Sequence, residues 1–170
     1  DRTFTIPGRG PSATGLPADG FGQLQTVSDT IGCTNHRSLV STPMGIMFLS
    51  EKGFMLLDRG LSLQHIGRPI ESELADYPYV LRGVLYEAKD QVVFLVTSRD
   101  PPTAGTSGFR RLVYNYETQK WSYDKFGYEE NTQTHETLDM AVLGDRLYMS
   151  ERTALLRQYH IPIETSGTPT

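Results

Sequence analysis

The sequence predicts an all-β fold, and three observations carry that reading. The first is an internal repeat. Met47-Phe48-Leu49-Ser50-Glu51-Lys52 returns 100 residues later as Leu147-Tyr148-Met149-Ser150-Glu151-Arg152, and Met55-Leu56 returns as Leu155-Leu156. Over the twelve positions 46–57, three residues are identical and five are conservative swaps, the mark of a modular architecture. The second observation is that Met47-Phe48-Leu49 and Val92-Val93-Phe94-Leu95-Val96 are apolar without a break. A strand with one wet face alternates, because successive side chains point to opposite faces, so these strands need cover on both. The third is grouping: the strands fall into 38–66, 79–126 and 138–159, two sets of four and one of three. Short four-stranded sheets stacked face to face describe a β-propeller, and two units of ~50 residues fit the spacing of blades. The expected fold is a partial β-propeller of about three blades built from short four-stranded antiparallel sheets. A two-sheet sandwich fits less well, since it leaves each outer face wet.

Each element has its own reason. Residues 1–31 are rich in Gly, Pro, Ser and Thr and read as an extended arm; 161–170 read as a flexible tail, and 32–160 as the blades. Ser38 to Ser41 is a short strand stopped by Pro43. Ile46 to Ser50 and Phe54 to Leu57 flank the turn Glu51-Lys52-Gly53, and Leu61 to Ile66 completes the set. Ile70 to Ala75 is the one segment with helical character. Tyr79 to Tyr86 and Gln91 to Ser98 form a hairpin about Lys89-Asp90, and Arg99 to Gly108 is a long loop. Arg110 to Tyr116 and Trp121 to Phe126 flank the turn Glu117-Thr118-Gln119-Lys120. The last strands are Leu138 to Leu143, Arg146 to Ser150 and Ala154 to Tyr159.

Composition narrows the function classes. With 170 residues the chain can bury a real core. Charged residues are 21% and hydrophobic ones 38%, ordinary for a globular protein. A net charge of −4 argues against high-affinity nucleic-acid binding, which relies on clustered Lys and Arg. Cys33 is the only cysteine, so an intrachain disulfide is impossible and folding in a reducing cytosol is expected. None of Asn35, Asn115 or Asn131 begins a glycosylation sequon. The opening Asp1-Arg2-Thr3, without an initiator Met, reads as a processed product or a piece of a longer polypeptide.

The candidate sites each have a plain structural explanation. Cys33-Thr34-Asn35-His36 has the spacing of half a zinc site, but no second Cys/His pair accompanies it. As a nucleophile pair, Cys33 and His36 lack an indicated supporting acid. A propeller glycosidase needs two carboxylates ~5–9.5 Å apart. Asp58, Asp76, Asp100, Asp139, Asp145, Glu129 and Glu130 are available, all readable as solvated turn residues. The Ser-x-Asp-x-Gly-x-Thr-Trp box of sialidase-type blades is absent. Arg110-Arg111 beside Phe109 could clamp nucleic acid, or serve as ordinary surface charge. Tyr114, Tyr116, Trp121 and Tyr123 lie on one hairpin, where cross-strand pairing explains them and a sugar platform is the functional alternative. Gly8-Arg9-Gly10 and Gly20-Phe21-Gly22 do not join a strand to a helix and are not phosphate loops. No catalytic, cofactor-binding or metal residue is assigned, and no cofactor is expected.

The run from Gly32 to Phe54, with Gly45-Ile46-Met47-Phe48-Leu49-Ser50 and Lys52-Gly53 at its centre, resembles the opening of a propeller blade in tail proteins of short-tailed bacteriophages. Leu112-Val113-Tyr114-Asn115-Tyr116-Glu117-Thr118-Gln119-Lys120-Trp121-Ser122 is similar to an outer blade hairpin of those tail nozzle or hub subunits. The likeness spans about residues 32–160. It implies a non-enzymatic virion structural protein, folded in the host cytoplasm and placed in the tail, forming part of the DNA-ejection conduit. The implied partners are copies of the chain in a ring and neighbouring tail proteins, with DNA passing without specific binding and no membrane insertion. A propeller-type interaction or carbohydrate-binding module is the alternative, and a propeller hydrolase comes third. An arc of blades leaves its terminal sheets with an apolar face and unpaired edges, which need neighbouring protein.

Overall fold

The structure, a computed structural model, describes residues 2–5, 25–98, 108–125, 137–151 and 156–159. The chain divides into two compact units, Asp1–Asp76 and Tyr77–Thr170. Strands dominate both, in four antiparallel sheets, and among the described residues no sheet closes on itself. Most of the arm (6–24), the 99–107 part of the long loop, Phe126, Ala154 and Leu155 at the ends of two expected strands, and the 161–170 tail lie outside the described residues.

In the first unit, β1 (Thr3–Thr5) pairs with β2 (Gln25–Ser28). The Thr3 hydroxyl donates to the Ile31 carbonyl at 2.7 Å. Neither strand is legible in the sequence, since three or four residues without an apolar run carry no period. The main sheet is a meander of β3 (Val40–Thr42), β4 (Gly45–Ser50), β5 (Gly53–Asp58) and β6 (Leu63–His65), hydrogen-bonded in that order. Its lead-in departs from the expected strand: His36–Ser38 is a 3-10 turn capped by Asn35, whose Oδ1 accepts from the Arg37 amide at 2.9 Å. The buried Ser38 hydroxyl donates to the Asn35 carbonyl and accepts from the Leu49 amide at 2.8 Å. Local side-chain bonds of this kind compete with a strand ladder. Thr42 and Ser50 tie the two tight turns, Thr42 donating to the Gly45 carbonyl and Ser50 to the Gly53 carbonyl, both at 2.9 Å. Val40, Met47 and Leu56 stand opposite one another on one face and are all buried, as are Leu49 and Phe54. The expected helix is present as a 3-10 turn Arg68–Ile70 running into α1 (Glu71–Asp76). Pro69 suits a helix start, Glu71 and Glu73 favour the positive end of the dipole, and buried Ile70 anchors the turn.

The second unit holds two meanders. One is β7 (Tyr79–Tyr86), β8 (Gln91–Thr97), β9 (Phe109–Asn115) and β10 (Lys120–Lys125), in sequential order. The other is β11 (Thr137–Leu143), β12 (Arg146–Glu151) and β13 (Leu156–Tyr159). The unbroken apolar run of β8 is explained here: Val92, Val93, Phe94, Leu95 and Val96 are all fully buried, so both faces are covered. One face packs on the second meander, with Leu81, Tyr86, Val93, Leu95 and Val113 against Met140, Leu147 and Met149. A bulge at Val80/Arg82 lets the adjacent Val80 and Leu81 both be buried. The first strands of the two sheets, β7 and β11, run beside each other. Arg82 Nε lies 3.5 Å from Asp139 Oδ1, and the Tyr86 hydroxyl donates to the Asp145 carbonyl at 3.0 Å.

The internal repeat maps onto this order. β4 and β12 are each the second strand of their sheet, and Met47/Leu147 and Leu49/Met149 are buried in both. The correspondence ends at the turn. Ser50 pairs with Gly53, whereas Ser150 pairs with Leu156, a register three residues longer. Leu156 therefore does not repeat the position of Leu56, which pairs with Met47.

Candidate functional site

The β9–β10 hairpin collects most of the aromatic candidates. Its turn is set by Asn115, whose Oδ1 accepts from the Thr118 amide at 2.7 Å, and by Gln119 at a left-handed φ of 56°. Pairing puts Val92, Tyr114 and Trp121 in one row and Phe94, Leu112 and Tyr123 in the next, all on one face. Trp121 lies 4.9 Å from Tyr114 and 6.2 Å from Phe94, tilted against both. Arg110 shares that face, with its guanidinium 4.6 Å from the Tyr77 ring centre and 5.5 Å from that of Tyr123. Gly108 lets the chain pass this close: a Cβ there would lie 2.8 Å from Tyr77 Cε1. The base of the preceding loop is closed by Ser98, whose amide donates to the Gly108 carbonyl at 3.1 Å and whose Oγ accepts from the Gly108 amide at 3.0 Å. Tyr123 is 52% exposed. This is an aromatic–cation cluster with one open ring.

Strand alternation separates the two arginines. Arg111 points to the opposite face, only 1% exposed, in the row of Leu95 and Arg82. Phe109 packs on that side too. The pair does not form one clamp. Tyr116 leaves the sheet; its hydroxyl donates to Asp90 Oδ1 at 3.0 Å, and its amide donates to the Asp90 carbonyl. Burial and this bond to a carboxylate hold the Tyr116 phenol above its ordinary value of 10.0, and burial does the same for Tyr114. The folded state thus keeps these protons more tightly than the unfolded chain. Their contribution to stability is complete below about pH 10 and lost as pH rises through the higher folded values. Thermal melts should be flat from neutral to mildly alkaline pH and fall above it, with Tyr116→Phe showing a smaller fall. An unchanged alkaline slope in that variant would refute the assignment.

The remaining candidates do not converge. Cys33 Sγ donates to the Asn35 carbonyl at 3.1 Å, and His36 is exposed in the 3-10 turn. Among the described residues, no group of three or more His, Cys, Asp or Glu could hold a metal ion. Asp58 accepts from the Ser62 amide at 2.9 Å and caps its turn. Asp139 accepts from the Met140 amide and faces Arg82, Asp145 sits in an exposed turn, and Asp76 ends α1. Asp100, Glu129 and Glu130 lie outside the described residues.

Two open sheet faces are more distinctive. On β4, β5 and β6, Ile46, Leu57 and Leu63 stand directly opposite one another, so their side chains form one row across the sheet. Ile46 is 42% exposed and the other two are half-buried. On β11 and β12, Ala141 pairs with Tyr148 and Leu143 with Arg146, on the face turned away from the Leu147–Met149 core. Leu143 is 74% exposed. The candidate list in the sequence omitted both rows, although the apolar runs that signal two covered faces were visible. No protein-family model, curated protein or solved structure matches this chain.

Proposed function

We propose that the chain is a non-catalytic structural protein, part of the tail nozzle or hub of a short-tailed bacteriophage, built as an arc of β-propeller blades. One observation carries the reading: the second unit stacks two sequential antiparallel meanders face to face, with first strand beside first strand. Consecutive blades of a propeller would also stack sheet on sheet, and this supports the reading. The resemblance of the Gly32 to Phe54 run and of the β9–β10 hairpin to such tail subunits supplies the biological setting. In this reading other copies of the chain and neighbouring tail proteins are its partners, and DNA passes without specific contacts. Sedimentation velocity at micromolar concentration is expected to show assemblies larger than the 19.0 kDa chain, weakened by deletion of residues 1–31. A compact monomer indifferent to that deletion overturns the reading. It would favour instead an interaction or carbohydrate-binding module, for which the open Tyr123 ring beside Arg110 is the supporting observation.

A further inference from the structure

We draw no further inference here: the strongest candidate, the open apolar row of Ile46, Leu57 and Leu63 across β4, β5 and β6, is a sheet face for which nothing in the structure shows what covers it.

Discussion

Truncating Leu147 to alanine is expected to lower the stability of the second unit by about 2–5 kcal/mol, the range for emptying a buried leucine site. Leu147 is fully buried on β12 and sits where the two meanders meet, with Leu81, Val93, Leu95 and Met149 in the same cluster. Every neighbour belongs to a hydrogen-bonded strand, so the sheets cannot collapse into the void without breaking ladders. Part of the loss is the transfer of apolar surface and part is the cavity left behind. For a unit of this size each kcal/mol moves the melting midpoint by roughly 4–8 °C. The matched control is Leu143→Ala, four residues away on β11 and 74% exposed, for which a change within about 0.5 kcal/mol is expected. Urea unfolding of the two variants measures the contrast. Equal losses at the two positions would mean that the sheets do not stack through the Leu147 face.

Gly45→Ala is expected to cost about 3 kcal/mol or more in the first unit. Gly45 opens β4 at φ +147°, a conformation that side chains rarely adopt, and strain of that kind alone costs of order 1–3 kcal/mol. There is also no room. An added Cβ would run into the Leu57 carbonyl oxygen and lie 2.9 Å from Asp58 Cα. Both are backbone of the paired strand β5, which cannot turn aside as a flexible side chain could. Relief requires parting β4 from β5 at the Gly45–Asp58 pair, next to the Ile46–Leu57 row. Limited proteolysis and a melting curve read the outcome. A variant within about 1 kcal/mol of wild type would show that the β3–β4 turn does not hold its glycine in this way.

How far each level could be read depends on the range of the interactions that set it. β8 was legible because five apolar residues in a row have only one consistent environment, burial on both faces. The hairpin about Lys89-Asp90 was legible because polar turn residues sit between two apolar runs; Asp90 takes a left-handed φ of 55° there, which Asp tolerates. α1 was visible as the one segment with helical character, after Gly67-Arg68-Pro69, and it starts within a residue of the expected place. By contrast β1 and β2 exist only as partners of each other. Tyr114, Trp121 and Tyr123 share one hairpin face as the sequence suggested, but Tyr116 leaves it for Asp90, and Tyr77, far along the chain, completes the cluster over Arg110.

The sequence by itself determined the strands of the three meanders and their grouping, though not β1 and β2, since alternation, apolar runs and turn residues act between near neighbours. It determined equally that Arg110 and Arg111, adjacent on one strand, point to opposite faces. The tertiary structure alone decided which of those faces is covered, sending Arg111 into the interior and leaving Arg110 between two tyrosine rings. It also decided the register of β13, three residues off the repeat, and the placing of Ile46, Leu57 and Leu63 in a single open row. Those outcomes depend on which strands pair and in what register, a choice made by contacts between residues distant in the chain. A one-residue slip would turn every side chain to the other face, so no local pattern could have specified them.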